Sequence, residues 1–161
     1  HQHLNGVGYT WLGEYANKVE RAWITEGRVF KPTMPHTISK TGTTYRLEYD
    51  CEVAPLVLDD VTVTDPGDYG FQIFDSLGAG VTISSVTVDA NGTDIIIVTS
   101  TDPGTGSEVA YAMEGYPSTP RDPAFMPRGC VRDSDPAVSE HNGMALWNWG
   151  VHFRFAVDGE A

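Results

Sequence analysis

Apolar residues recur at a helical period in the first part of the chain. Over residues 5–24 they stand three or four positions apart, which is the spacing of one face of an α-helix; they are Leu12, Tyr15, Ala16, Val19 and Trp23. Asn5 or Thr10 can cap the start of this helix, and Gly27 is typical of a helix end. The pattern predicts one N-terminal helix whose apolar face needs a partner, either the rest of the chain or a preceding domain.

From residue 28 onward the apolar residues alternate with a period of two, which is typical of β-strands. Asn91-Gly92 lies between two such runs and predicts a hairpin turn. The predicted strands are residues 43–53, 70–74, 81–88, 94–100, 108–113 and 149–157. Short strands separated by frequent turns predict a mainly β fold: an Ig-like or jelly-roll-like antiparallel β-sandwich, preceded by the single α-helix.

Residues 115–145 depart from both patterns, because they hold five prolines and show little periodicity. A loop of this length in a compact domain is usually functional or ordered by unusual contacts. We therefore expect functional residues in and beside this loop.

The chain is strongly acidic: 161 residues with 22 Asp+Glu against 10 Lys+Arg carry a formal net charge of −12. Nucleic acids and anionic lipid surfaces bind to basic patches, so we expect neither partner. No run of 18 apolar residues predicts a membrane span, and no signal-peptide pattern opens the chain. An acidic surface poor in lysine favours an extracellular setting.

Two cysteines, Cys51 and Cys130, stand far apart and form no C-x-x-C motif, which excludes a cysteine-based zinc finger. Their sequence distance leaves open whether they form a disulfide or remain two thiols.

The N-terminal segment HLNGVGY (residues 3–9), followed by LGEY (12–15), resembles the end of an SGNH (GDSL-type) hydrolase domain. In that family a last block, D-x-x-H, supplies the catalytic Asp and His. The resemblance implies that His3 is the catalytic histidine and that its Asp would fall one residue before His1. The family's Ser, Gly and Asn blocks do not occur in the sequence. Residues 1–26 are thus expected to be a helical remnant of an upstream SGNH-type catalytic domain.

Residues 27–161 resemble the β-rich C-terminal module that follows such domains in phage and bacterial carbohydrate-active proteins. The resemblance is carried by APLVLD (54–59), DPGDYGF (65–71), RGCVRDSDP (128–136) and LWNWGVHF (146–153). It implies a β-sandwich accessory module, carbohydrate-binding in type, that is extracellular, secreted or virion-associated.

Aromatic and polar residues beside the long loop suit a polysaccharide or oligosaccharide, because a sugar ring stacks its apolar face on an aromatic side chain. The candidate ligand-binding residues are Trp147, Trp149, Tyr116, Arg128, Arg132 and Asp133. On an alternating strand Trp147 and Trp149 share one face, which is either the core or an exposed platform. The two arginines either bind the carboxylate of an acidic sugar or pair with neighbouring aspartates.

Carboxylate clusters of the kind that bind Ca²⁺ also occur, notably Asp133 with Asp135. The alternative for these two is a turn in which the aspartates accept backbone N–H groups. The histidines lack H-E-x-x-H spacing, so zinc is not expected. We expect no cofactor, with structural calcium as the open alternative.

The favoured function is a non-catalytic carbohydrate-binding accessory module of an SGNH-type carbohydrate esterase or phage tail-associated hydrolase. One alternative is a fragment of the hydrolase itself, with His3 as catalytic base and its Ser and Asp partners on a missing part. Another is a structural or oligomerisation module, in which the chain forms a homo-oligomer.

Overall fold

The computed structural model describes residues 5–113 and 127–157. Helix α1 spans Gly6–Glu20 and continues as one π-helical turn, Arg21–Thr25. The side chain of Asn5 caps α1, since its Oδ1 accepts the Gly8 N–H at 2.9 Å. Gly27, with φ of 63°, takes the left-handed conformation that glycine adopts most readily after a helix end. The predicted N-terminal helix is confirmed.

Within the described residues, ten strands follow α1, and all of their pairings are antiparallel. They are β1 Met34–Thr41, β2 Thr44–Asp50, β3 Val57–Leu58, β4 Phe71–Phe74, β5 Gly80–Val81, β6 Ile83–Val88, β7 Asp94–Thr99, β8 Glu108–Tyr111, β9 Val131–Arg132 and β10 Phe153–Ala156. One sheet has the order β1-β2-β7-β6, a second has β10-β8-β4-β5, and β3 pairs with β9. The fold is the mainly β, antiparallel sandwich with one N-terminal helix that the sequence predicts.

The core is built from side chains of both four-stranded sheets. Tyr45 and Leu47 of β2 stand opposite Ile97 and Ile95 of β7, and all four are fully buried. On the second sheet the ring of Tyr111 lies 4.8 Å from that of Phe71 and 5.7 Å from that of Phe153, between centroids. The remaining buried core positions include Ile73, Ile83, Val86, Val109, Val131 and Val157.

The Asn91-Gly92 hairpin is confirmed between β6 and β7. The Oδ1 of Asn91 accepts the N–H groups of Thr93 at 3.0 Å and Asp94 at 3.1 Å, and Gly92 has φ of 77°. The side chain and the glycine together form the turn that an Asn-Gly step favours.

The strand predictions differ from the structure in several places, and the two-residue strands β3 and β9 lie outside all of the predicted strands. Strand β1 was not predicted, because Pro35 and a bulge between Pro35 and Thr37 interrupt its alternation; proline is tolerated there since β1 is an edge strand. The predicted strand 149–157 is regular only over Phe153–Ala156. Trp149 joins the fold through a single isolated bridge to Arg132 instead.

Both cysteines are free thiols: Cys51 is half-buried and Cys130 is buried. Among the described residues, no helix combines the length and the apolar character that crossing a bilayer requires.

Candidate functional site

The central feature is an arginine stacked on one tryptophan, with a second tryptophan against the first. We call these residues the Arg132 cluster: Arg132, Trp147 and Trp149. The guanidinium carbon of Arg132 lies 3.8 Å from the centroid of the Trp147 ring. The Trp149 ring meets Trp147 edge-on, with centroids 6.2 Å apart. The two tryptophans are half-buried, whereas the side chain of Arg132 is mostly buried, with 14% exposed. The sequence places both tryptophans together correctly, although not on a regular strand.

Arg132 is held in place by Asp59, which follows β3. Its Nε donates to the Asp59 Oδ2 at 2.5 Å, and its Nη1 donates to the backbone oxygen of Asp133 at 2.9 Å. Burial raises the pKa of Asp59, but hydrogen bonds from Thr62 and Arg132 outweigh it, so the net pKa is lowered. Arg132 therefore pairs with an aspartate brought to it by the β3–β9 pairing, and not with the side chain of the adjacent Asp133.

Asp133 lies behind the cluster and is fully buried. Its Oδ1 accepts the Asn148 backbone N–H at 2.9 Å, and its Oδ2 accepts the Asn148 side-chain amide at 2.6 Å. Asn148 lies between the two tryptophans in sequence, and its backbone oxygen also accepts the Thr33 hydroxyl at 2.9 Å. Asp133 thus directs its hydrogen bonds inward and positions the segment that carries the tryptophans.

The other predicted ligand-binding residues lie away from this cluster or outside the described chain. The Nε of Arg128 donates to the backbone oxygen of Thr64 at 2.7 Å. This hydrogen bond directs the Arg128 side chain to the loop before β4. Tyr116 and His3 lie outside the described residues.

The two aspartates proposed for calcium are used by the chain itself. Asp135 accepts the Ala137 N–H at 2.8 Å and forms an ion pair with Lys18. Burial raises the pKa of Asp135, and the Lys18 ammonium with the Ala137 N–H more than offsets it, so the net pKa is lowered. Over residues 5–113 and 127–157, no group of three or more His, Cys, Asp or Glu side chains is arranged to hold a metal ion.

Helix α1 is fastened beside the Arg132 cluster by three polar side chains, which we call the helix anchor: Glu14, Tyr15 and Lys18. The Tyr15 hydroxyl donates to the backbone oxygen of Trp147 at 2.8 Å. The Glu14 Oε1 accepts the Glu140 N–H at 2.9 Å. Sequence reasoning missed Glu14 and Lys18 because charged helix residues are normally assigned to the solvent face, and it assigned Tyr15 to the apolar face without its hydrogen bond.

The apolar face predicted for α1 is largely exposed. Leu12 is 58% exposed, Val19 45% and Trp23 73%, whereas Tyr15 turns toward the sandwich. We call the row of Tyr9, Leu12, Ala16, Val19 and Trp23 the outer stripe. The sequence left two alternatives for this face, packing on the rest of the chain or on a preceding domain. The first is wrong for the residues of the outer stripe, because they are exposed. The predicted domain boundary between residues 26 and 27 stays a prediction.

A second surface feature, which the sequence did not indicate, is a groove of about 230 Å³ between the edge strands β1 and β10. It is lined by Pro35, His36, Ile38, Phe155 and Ala156. Phe155 is partly exposed and stacks on Phe153 with ring centroids 5.2 Å apart. This groove offers an aromatic side chain that is separate from the Arg132 cluster.

No protein-family model matches the chain, and no curated protein matches it. Among solved structures, the crystal structure of the N-terminal part of the bacterial S-layer protein SbsC is similar, with a TM-score of 0.43 and 12% sequence identity. That match covers 96% of this chain and 29% of the S-layer chain. This likeness is too weak to carry a functional conclusion and has no bearing on the resemblance to SGNH hydrolases.

Proposed function

We propose that the chain is a non-catalytic carbohydrate-binding accessory module, acting outside the cell beside an SGNH-type esterase or tail-associated hydrolase domain. The observation that most supports this is the Arg132 guanidinium stacked 3.8 Å from the Trp147 ring, with Trp149 alongside. A sugar needs an apolar ring to stack on and charged or amide groups for its hydroxyls. Arg132 already covers one face of the Trp147 ring, so the aromatic surface proposed for the sugar is the remainder of Trp147 together with Trp149, with the guanidinium at its edge.

Hydrogen bonds within the chain position the side chains of the cluster, which favours binding. Asp59 holds Arg132 at 2.5 Å, Asp133 holds the backbone of Asn148, and the Tyr15 hydroxyl holds the oxygen of Trp147. Side chains that are already ordered lose little conformational entropy when a ligand binds. This network gives the buried Asp133 a role, because it positions the segment that carries Trp147 and Trp149.

The charge of the cluster favours a neutral sugar. The positive charge of Arg132 is matched by Asp59, and the chain as a whole is strongly acidic. A sugar carboxylate would have to compete with Asp59 for the guanidinium and approach against a net charge of −12. Hydroxyl groups of a neutral polysaccharide meet no such opposition.

In this proposal the upstream domain carries out catalysis. Ser134, the serine nearest the cluster in sequence, donates its hydroxyl to the backbone oxygen of Pro55 at 2.6 Å. A nucleophile needs a base that accepts its proton, and here the hydroxyl proton goes to a carbonyl oxygen.

Affinity electrophoresis through gels that contain neutral or acidic polysaccharides tests the proposal. We expect retardation by a neutral polysaccharide and its loss in Trp147→Ala. Phe155→Ala removes a partly exposed aromatic side chain outside the cluster and is the matched control; it should migrate like the wild type. Circular dichroism shows whether each variant is folded. Unretarded migration in every gel, or loss of retardation only in Phe155→Ala, contradicts the assignment to the Arg132 cluster.

A further inference from the structure

One side of helix α1 is packed against the chain, and two members of the helix anchor belong to it. Trp11, Tyr15, Lys18 and Ala22 are separated by four, three and four positions, which places them on one side of an α-helix. Ala22 is fully buried and the other three are partly buried. Tyr15 and Lys18 therefore lie one turn apart on the side of α1 that meets the rest of the chain.

These two side chains hold Trp147 from both sides of its Cα atom. The Lys18 ammonium donates to the backbone oxygen of Leu146 at 2.5 Å, and the Tyr15 hydroxyl donates to the backbone oxygen of Trp147 at 2.8 Å. The first oxygen belongs to the peptide group before Trp147, and the second belongs to the peptide group after it. Peptide groups are planar, so fixing both of them fixes the φ and ψ angles between them. The direction in which the Trp147 ring leaves the backbone is thus set by α1.

The peptide group after Trp147 is held by α1 and by the sandwich together. Its oxygen accepts the Tyr15 hydroxyl, and its N–H, which belongs to Asn148, donates to the Asp133 Oδ1 at 2.9 Å. The Lys18 ammonium also donates to the Asn148 Oδ1 at 2.9 Å. The orientation of Trp147 therefore depends on the docking of a helix that precedes it by about 130 residues in the chain.

The Tyr15 hydroxyl keeps the proton that it donates. Burial raises the pKa of Tyr15, and the carboxylates of Asp133 and Asp135 raise it further. The hydroxyl is therefore a donor at neutral pH, where an ionised tyrosine could only accept. Removing it would leave the partly buried oxygen of Trp147 without this donor, which costs free energy and loosens the peptide group.

We propose that Tyr15, with Lys18 on the other side of Trp147, is a positioning residue of the sugar site, so that docking of α1 and binding of a neutral sugar strengthen each other. This inference rests on the proposed function, in which Trp147 and Trp149 meet the sugar. Two events that favour the same conformation of one segment are linked, and the linkage is reciprocal. The apparent affinity for a ligand falls with the fraction of the protein in the competent conformation.

The linkage gives α1 a role beyond attachment. In the proposed function α1 is the end of the upstream domain, and its side chains reach the segment that carries the tryptophans. The position of that domain and the occupancy of the sugar site are then connected through the hydrogen bonds of Tyr15 and Lys18. The module holds a polysaccharide best when α1 is docked.

Binding by Tyr15→Phe tests the proposal, because this change removes one oxygen and keeps the ring. Affinity electrophoresis at graded concentrations of galactomannan, dextran and hydroxyethyl cellulose gives apparent dissociation constants. For the polysaccharide that retards the wild type, we expect binding about five-fold weaker in Tyr15→Phe. Tyr9→Phe is the matched control on the same helix; Tyr9 is 56% exposed, and this variant should bind like the wild type. Circular dichroism at the assay temperature shows that both variants are folded, so a change in stability alone leaves the affinity of the folded chain unchanged.

A second measurement needs no sugar. The Trp147 and Trp149 rings lie edge to face with centroids 6.2 Å apart, so they contribute a joint near-ultraviolet circular dichroism signal, identified as the part lost in Trp149→Phe. Tyr15→Phe should alter this signal and Tyr9→Phe should not. Wild-type protein that no gel retards contradicts the proposed function and the link to sugar, while the tryptophan signal still decides whether α1 orients Trp147. Retarded wild type with equal binding by Tyr15→Phe, or an unaltered tryptophan signal in that variant, overturns the inference alone.

Discussion

The ammonium of Lys18 lies 2.9 Å from the Oδ2 of Asp135, and this ion pair joins helix α1 to the segment that follows β9. Both side chains are mostly buried, with 17% and 14% exposed. The same ammonium donates to the backbone oxygen of Leu146 at 2.5 Å and to the Asn148 Oδ1 at 2.9 Å. One lysine thus uses its three donors to fix the helix beside the Arg132 cluster.

Replacing this lysine should destabilise the protein. Lys18→Met leaves the carboxylate of Asp135 partly buried without its cation, and we expect a loss of about 2 kcal/mol in the free energy of unfolding. Urea denaturation followed by tryptophan fluorescence measures it. Arg21→Met is the control, because Arg21 is 69% exposed in its pair with Glu26 and should change stability by less than about 0.5 kcal/mol. Equal effects of the two substitutions would contradict the importance of the anchor.

Stability should fall in acid through Asp59 and Asp135. Both carboxyl groups have pKa values below the ordinary 3.8, so the unfolded chain binds protons more readily than the folded one. Their contribution is complete above about pH 4 and is lost as the pH falls through the folded pKa values. Urea midpoints between about pH 5 and pH 2 should decrease, and the decrease should be smaller in Asp59→Asn. If the urea midpoint falls equally steeply with decreasing pH in Asp59→Asn and in the wild type, the prediction is wrong.

Gly129 should not tolerate a side chain. An added Cβ would lie 2.1 Å from the Cζ of Tyr111, whose ring is clamped in the core and whose hydroxyl accepts the Val131 N–H at 2.9 Å. We expect Gly129→Ala to cost about 3 kcal/mol or more in unfolding free energy, because neither the ring nor the backbone can move freely. Thermal denaturation compares it with Gly80→Ala, where an added Cβ meets nothing within 4 Å. Similar melting temperatures would show that Tyr111 can shift.

The two thiols should react only slowly in the folded protein. Burial raises the pKa of Cys130 to about 11, and burial also raises the pKa of Cys51. The thiolate is the reactive form, so at about pH 8 a thiol reagent should leave Cys130 unmodified until urea is added. In urea without reductant we expect two thiols per chain. Fewer than two would indicate a disulfide that the structure does not contain.

Local patterns predicted the parts of the fold that depend on neighbouring residues. The α1 helix follows from its periodicity and the Asn5 cap, and the β6–β7 hairpin follows from Asn91-Gly92. Strand β1 escaped prediction because Pro35 and the bulge after it disturb the alternation. Strand β1 forms because it pairs with β2, and the local sequence of β1 does not contain this pairing.

The candidate site was predicted only in part, because some of its contacts also depend on strand pairing. Trp147, Trp149 and Arg132 come together as their proximity to the long loop indicated. The partner of Arg132 could not be predicted, because Asp59 reaches it only through the pairing of β3 with β9. Asp133 was a candidate ligand-binding residue, yet it is fully buried and supports the segment behind the cluster. Exposure depends on the packed structure and not on residue type alone.

The helix anchor also sets an order of events during synthesis. Helix α1 leaves the ribosome well before its partners, because Leu146 and Asn148 lie 128 and 130 residues after Lys18. A helix of 15 residues is marginal alone in water, so α1 stays unfastened while strands β1 to β8 emerge. Its exposed apolar residues are accessible to chaperones until those partners have been synthesised. Docking of α1 through Lys18 therefore follows the synthesis of the segment that contains Leu146 and Asn148.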